Sequence, residues 1–94
     1  MYFLSMKFRD RNNDIPLMSE HSEDMSTLLK MVDNTTSLLT RTKRWNKTVI
    51  DNNFNEHHIS NAATKVMNNE IVEFEWSFFD KYDRTVRCYI TRNV

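Results

Sequence analysis

Residues 72–91 read VEFEWSFFDKYDRTVRCYIT, two runs of alternating apolar and polar residues on either side of a short polar segment. This alternation is typical of β-strands with one buried face, because successive side chains of a strand point to opposite sides. The apolar residues of both runs all have even numbers: Val72, Phe74, Trp76, Phe78, Val86, Cys88 and Ile90. The numbers of directly paired residues must therefore add to an even total if both apolar sets are to share one face.

That condition gives the connection between the two strands an odd length, and we predict a three-residue loop, Lys81-Tyr82-Asp83. Asp83 tolerates the left-handed backbone conformation that glycine would normally provide at this place. The predicted register pairs three couples on the apolar face: Phe78 with Val86, Trp76 with Cys88 and Phe74 with Ile90. On the outer face, opposite charges are expected to meet across the strands: Glu73, Glu75 and Ser77 face Arg87, Tyr89 and Thr91.

The residues before this hairpin predict one more strand and a long polar connection. Residues 2–9 alternate in the same way, with Tyr2, Leu4, Met6 and Phe8 on one side, so we expect a half-buried strand. Residues 11–16 contain the only proline and predict a turn. Residues 17–24 are polar and acidic and predict a loop. Ser22, followed by two acidic residues, then predicts the start of a helix.

Three helical segments follow in the pattern, with a change of phase between the first two. The apolar stripe of residues 25–32 is out of register with a second stripe, Leu38, Thr42, Trp45 and Val49, so we predict a break near residues 33–37. Because threonine favours strands, a strand-turn-strand over 36–50 is the alternative. Asn53 and Glu56 predict the cap of a third helix, whose buried stripe begins at Phe54 and which ends at Asn68 or Asn69.

Together these elements predict one α+β domain over residues 1–94. We expect a small three-stranded antiparallel-type sheet, made of the N-terminal strand and the C-terminal hairpin, with two or three helices packed on one face. A chain of 94 residues has a modest core. A partner or a dimer would therefore help to stabilise it.

The overall composition bears on the partners and the compartment. Thirteen cationic and thirteen anionic side chains balance, so no net charge draws the chain to nucleic acid or to a membrane surface. The short apolar run at residues 2–4 is followed by cations, which does not fit a signal peptide, and no segment approaches membrane-spanning length. The single cysteine, Cys88, excludes an internal disulfide framework. We therefore expect a cytoplasmic protein with no membrane contact.

The scarcity of small residues suggests an origin. The chain has no glycine, one proline and two alanines, but eleven asparagines and nine threonines. At an average glycine usage of about 7%, a chain of this length lacks glycine about once in a thousand cases. Asparagine codons are AT-rich, whereas glycine, alanine and proline codons are GC-rich. We take this as a sign of an AT-rich genome, with a phage or another virus as the leading candidate and chance drift as the alternative.

The residue types exclude several kinds of chemistry. Phosphate-binding loops and dinucleotide-binding fingerprints need glycine, so neither cofactor class is expected. Glu56-His57-His58 has metal-ligand chemistry, but neighbouring helical residues point about 100° apart, so we expect no metal and a half-buried, hydrogen-bonded His58. Cys88 falls on the predicted core face and is not expected to act as a nucleophile. We predict no enzyme and no cofactor.

A basic segment offers one binding hypothesis. Residues 40–50 read TRTKRWNKTVI and include four cations that could contact phosphates: Arg41, Lys43, Arg44 and Lys47. A solvated helix face is the commoner origin of such a cluster, and Trp45 fits a core position better than a base-stacking position. Binding of nucleic acid by residues 41–47 is therefore the alternative function.

Protein binding is the leading hypothesis. Phe3, Phe79, Tyr82 and Tyr89, together with Arg87, are placed by the pattern on the outer sheet face or its turn, where aromatic residues suit a contact surface. Acidic residues 10–33 and basic residues 41–47 make the chain bipolar, which steers docking. Exposed sheet edges also allow a homodimer. We expect a small non-enzymatic inhibitor or adaptor that acts on a host protein, in the host cytoplasm if it is viral.

Overall fold

The computed structural model describes residues 1–40 and 45–93, which form six strands and two helices. The strands are β1 (Tyr2–Asp10), β2 (Asn13–Ser22), β3 (Thr48–Asp51), β4 (Glu56–His58), β5 (Glu73–Phe79) and β6 (Thr85–Arg92). The helices are α1 (Met25–Leu39) and α2 (Ile59–Met67). All six strands belong to one antiparallel sheet with the order β2-β1-β6-β5-β3-β4.

Three hairpins make up this sheet. The hairpin β5–β6 lies in the centre, the hairpin β1–β2 joins it through β1, and the hairpin β3–β4 joins it through β3. Each outer hairpin is followed by a helix, α1 in the first case and α2 in the second. The topology is therefore approximately two-fold symmetric about the central hairpin, and β2 and β4 form the edges.

The core lies on one face of the sheet only. Even-numbered side chains of β1, β5 and β6 form a single buried cluster with the apolar stripes of both helices. The largest members that are fully buried are Phe74, Leu4, Met6, Leu28 and Ile90. Within the described ranges, both helices cover this face, so the odd-numbered side chains of the same strands point away from the core.

The hairpin predicted from the sequence is confirmed as β5–β6. Phe78 lies opposite Val86, and Trp76 lies opposite Cys88, as the even-number rule requires. The backbone N–H of Asp80 donates to the carbonyl of Arg84 at 2.9 Å, which closes a three-residue loop. Asp83 has a φ of 61°, the left-handed conformation expected of it. The strand predicted at residues 2–9 is confirmed as β1.

The prediction of three strands is wrong, because the sheet has six. Residues 13–22, predicted as turn and loop, form the edge strand β2. Most of its side chains are exposed, so no alternation of buried and exposed residues marked it. This segment is a strand because its backbone pairs with β1, and not because its side chains are buried.

The predicted helix break near residues 33–37 is also wrong, because α1 continues to Leu39. The buried stripe of α1 runs through Met25, Leu28, Val32 and Thr36. The hydroxyl-bearing Thr36 takes the place where an apolar residue was expected, so the stripe appeared to change phase. Helix α1 is capped by the side chain of Asp24, which accepts from the N–H of Ser26 at 3.2 Å, and not by Ser22.

The two remaining predicted helices need correction. Leu38, assigned to the buried face of the second, is 77% exposed and lies in α1. Residues 48–51 form β3, which agrees with the second strand of the alternative, whereas residues 36–39 belong to α1 and form no strand. The part of both predictions that covers residues 41–44 lies outside the described residues. Residues 53–58 form a turn and β4 instead of the first turns of a helix, and α2 begins only at Ile59. Its predicted end is confirmed, since Asn68 is the C-cap and Asn69 has a φ of 61°.

Candidate functional site

The face of the sheet opposite the helices, here called the helix-free face, carries most of the aromatic residues proposed for binding. It is formed by odd-numbered residues of β1, β5 and β6 and by even-numbered residues of β3 and β4. Phe3, Phe79 and Tyr89 lie on it and are exposed, and Arg87 lies beside Tyr89 on β6. An antiparallel sheet commonly packs one face on the core and leaves the other in water, where polar side chains are expected. An uncovered face with exposed aromatic rings is therefore suited to contact with a partner.

Two adjoining grooves cross the helix-free face. The larger, of about 620 Å³, is lined by the cations Lys7 and Arg87, the carboxylates Asp14 and Glu75, and polar side chains such as Ser77. The second, of about 530 Å³, is lined by Phe54, Glu73 and other residues of β3, β5 and β6. Ile50, Glu75 and Tyr89 form part of both linings. The face therefore offers a continuous channel whose two halves differ in charge.

Phe54 is the most exposed large hydrophobic residue of the described chain, with 89% of its surface accessible. It also has a φ of 64°. For a bulky residue this left-handed conformation is a genuine outlier that costs about 1–2 kcal/mol. An aromatic ring that a strained backbone holds out of the core does not stabilise the folded state. Strain of this kind clusters at functional sites, and Phe54 is the only aromatic residue among the five left-handed residues of the described chain.

Asp51 builds the turn that presents Phe54. Its Oδ1 accepts from the backbone N–H groups of Asn53 and Asn55 at 2.7 and 3.0 Å, and its carbonyl accepts from the N–H of Phe54 at 3.0 Å. Its Oδ2 lies 2.7 Å from Nε2 of His57. A carboxylate has no proton to give, so Nε2 of His57 carries the proton and donates it. The side chain of Asp51 is buried, and its hydrogen bonds connect Asn53, Asn55 and His57 within the turn.

These hydrogen bonds also set the ionisation of Asp51. The bond from His57 lowers the pKa of Asp51 below its ordinary value of 3.8, and the bonds from Asn55 and Asn53 act in the same direction against the effect of burial. Asp51 is therefore ionised at neutral pH. The sequence run Asp51-Asn-Asn-Phe-Asn55 is a turn signature, and this signal could have identified Phe54 as a turn residue.

The strands of the outer face have the predicted register, but it places no opposite charges directly across from each other. Arg87 lies opposite Ser77 on β5 and opposite Lys7 on β1, and Glu75 lies opposite Tyr89. Among the described residues, no carboxylate lies within 4.0 Å of the charged nitrogens of Lys7 or Arg87. The expected cross-strand attraction is thus replaced by two neighbouring cations.

Tyr82, the remaining aromatic candidate, belongs to the β5–β6 turn. The Arg84 guanidinium lies over the rings of Phe8 and Tyr82, at 4.3 and 5.3 Å from their centroids. Arg84 also donates from Nε to Oδ2 of Asp80 at 2.8 Å. Burial opposes ionisation of Asp80, but hydrogen bonds from the N–H and the guanidinium of Arg84 and from the N–H of Tyr82 lower its pKa. Tyr82 is thus part of an ordered turn, not of the grooves.

The nucleic-acid alternative rests mainly on residues outside the described ranges. Arg41, Lys43 and Arg44 lie there. Lys47 is described and exposed, and it follows Trp45, whose ring stacks on Trp76 with centroids 5.6 Å apart. Trp45 is therefore engaged in packing and is not free to stack on a base.

The residues considered for catalysis and metal binding have structural contacts. Cys88 is buried, and burial raises the pKa of its thiol to about 12, so the reactive thiolate is scarce at neutral pH. His58, predicted to be half-buried, is exposed, and its Nδ1 accepts from the N–H of Ser60 at the start of α2. Within residues 1–40 and 45–93, no three His, Cys, Asp or Glu side chains are grouped to hold a metal.

No helix within the described ranges combines the length and the apolar character needed to cross a membrane. Comparison of the chain with protein-family models, curated proteins and solved structures gave no match. Function is therefore inferred from the helix-free face and from the turn that carries Phe54.

Proposed function

We propose that this chain is a small non-enzymatic protein-binding module whose contact surface is the helix-free face together with Phe54. Phe54 carries the proposal, because an aromatic side chain that is 89% exposed on a left-handed backbone stabilises neither the core nor the turn. Aromatic residues of this kind dominate binding energy when a partner covers them. Tyr89 and Ile50, which line the groove beside Phe54, extend the apolar part of the surface.

The hydrogen bonding of the turn supports the same function. The Asp51 carboxylate receives three hydrogen bonds within the segment from Asp51 to His57. A backbone segment that is already held in place loses little conformational entropy on binding, and preorganisation of this kind increases affinity. Asp51 acts in this proposal as a positioning residue for Phe54.

The more specific role, an inhibitor or adaptor that acts on a host protein, is supported only by the glycine-free and asparagine-rich composition. A homodimer formed by strand pairing is less well supported. Pro16 lies within the edge strand β2, and the β1–β2 register shifts beside it. Proline and irregular pairing in an edge strand hinder its pairing with the edge strand of another copy.

Capture from the source cells tests the proposal. The tagged chain is compared with Phe54→Asn and with Leu38→Asn, and retained proteins are quantified at equal bait. Leu38 is the matched control, because it is 77% exposed but lies on α1 in the other layer.

We expect one protein at fixed stoichiometry with the wild-type chain and with Leu38→Asn. Its recovery should fall about tenfold or more with Phe54→Asn, as for an interface hot spot. Equal recovery by Phe54→Asn, or no protein retained at stoichiometry by the wild type, would refute the proposed surface.

A further inference from the structure

Lys7 and Arg87 form an unusual pair at the centre of the helix-free face. They are direct cross-strand neighbours between β1 and β6, and both line the larger groove. Like charges placed directly opposite each other destabilise a sheet. Lys7 is half-buried, which makes the absence of a carboxylate within 4.0 Å among the described residues more costly.

The surroundings of this pair suit an anion. Ser77 lies opposite Arg87 on the other side, and Thr48 and Asn46 line the same groove, so hydroxyl and amide donors lie in the groove beside the two cations. Asp14 and Glu75 line it as well, but neither carboxylate lies within 4.0 Å of the charged nitrogens of Lys7 or Arg87. The β1–β2 pairing shifts register between Met6 and Lys7. The extra residue, Leu17, lies on β2, so the bulge bends the edge strand that lies beside Lys7.

We propose that Lys7 and Arg87 form a carboxylate-binding subsite that takes one acidic side chain of the partner protein. The inference rests on the proposed function and names the chemistry that the partner must present. A carboxylate placed between a guanidinium and an ammonium makes charge-assisted hydrogen bonds and removes the repulsion between the two cations.

The other charges of the face favour a single carboxylate over a nucleic acid. Glu75 lines both grooves, Glu73 lines the second, and Asp14 lines the first. A phosphate backbone carries a charge at every nucleotide, so a strand lying along the channel would place phosphates next to these carboxylates. One acidic side chain needs only the position between Lys7 and Arg87.

Nuclear magnetic resonance titration of the full chain tests the subsite. The probes are two blocked peptides, acetyl-Ala-Ala-Glu-Ala-Ala-amide and its Gln counterpart, at constant ionic strength, and an oligothymidylate of eight nucleotides. The variant Lys7→Gln/Arg87→Gln is compared with the control Lys30→Gln/Lys65→Gln, which makes the same change of charge on the two helices.

We expect the Glu peptide to shift the amide signals of Lys7 and Arg87 saturably and to bind about tenfold more tightly than the Gln peptide. The shifts should disappear in Lys7→Gln/Arg87→Gln and persist in the control. The same variant should melt at a higher temperature than the wild type, because the repulsion is gone; this also shows that it folds. Equal binding of both peptides, shifts that survive in the variant, or tighter binding of the oligonucleotide at these amides would overturn the subsite.

The carboxylate subsite and the protein-binding function can be refuted independently of each other. Phe54→Asn leaves the Glu-peptide shifts at Lys7 and Arg87 intact, since Phe54 lines only the other groove. Loss of Glu-peptide binding with Phe54-dependent capture preserved would remove the subsite and keep the protein-binding function.

Discussion

At the scale of single residues, the proposed contact point depends on two side chains. Phe54 makes the contact, and Asp51 forms the hydrogen bonds of the turn that exposes Phe54. The sequence pattern placed Phe54 on the buried side of a helix, because Phe54, His58 and Ile59 have helical spacing. The hydrogen bonds of Asp51 to Asn53 and Asn55 form a turn there instead. Cys88 and Asp83, in contrast, could be placed from the sequence, since strand alternation and loop length constrain them directly.

Replacing Phe54 with asparagine should stabilise the free protein. Asparagine tolerates left-handed backbone better than phenylalanine, and the exposed ring contributes no packing, so the free energy of unfolding should rise by about 0.5–1 kcal/mol. Urea denaturation measures the difference. Phe79→Asn is the control, because Phe79 is 69% exposed but lies in the extended strand β5. A less stable Phe54→Asn would show that the ring supports the fold.

The ionisation of Asp51 predicts a loss of stability in acid. Its folded-state pKa lies below the ordinary value of 3.8. The ionised carboxylate therefore stabilises the fold above that value, and this contribution is lost as the pH falls through the folded-state pKa. Asp51→Asn should be clearly less stable than the wild type at about pH 7, and the difference should shrink towards about pH 2. Denaturation curves across this range measure it.

Asp10→Asn serves as the control, since Asp10 is an exposed residue at the end of β1. A constant difference between Asp51→Asn and the wild type at every pH would contradict the role of the ionised carboxylate. A parallel drop in partner capture by Asp51→Asn, with the fold intact, would agree with its positioning of Phe54.

At the scale of elements, strands with one buried face could be predicted from the sequence, whereas exposed edge strands could not. Strands β5 and β6 alternate between core and solvent, and the apolar residues of β1 alternate in sequence, so periodicity identifies all three strands. Strands β2 and β4 lie at the edges with few buried residues, and only their pairing with β1 and β3 defines them. The groove beside Phe54 could not be predicted from the sequence, because it needs β3 to lie beside β5.

The edge strand β2 gives a prediction about self-association. Pro16 removes one N–H donor from this edge, so Pro16→Thr should restore a longer row of donors and promote pairing between copies. Sedimentation velocity should show a monomeric wild-type chain and a larger dimer fraction for Pro16→Thr at equal concentration. Ser19→Thr is the control, because it introduces the same side chain on the same strand without adding a backbone donor. A dimeric wild type would contradict this use of the edge.

At the scale of the whole molecule, the arrangement of layers explains the surface. Three hairpins form one sheet, and both helices of the described chain cover the same face. The prediction that the helices pack on one face was correct. Because the sheet was predicted to have only three strands, the width of its other face was not predicted. The wider sheet brings Phe54, Tyr89 and Lys7 around two adjoining grooves, although they are far apart in sequence.

Site-specific photocrosslinking in the source cells is the sharpest test of the protein-binding surface. Benzoylphenylalanine at position 54 should crosslink one protein in high yield, and the same group at position 38, on α1, should not. Phenylalanine already occupies position 54, so the photoreactive group replaces a similar ring. Equal crosslinking from both positions, or a product with nucleic acid in place of protein, would contradict the assignment of the helix-free face and Phe54 as a protein-binding surface.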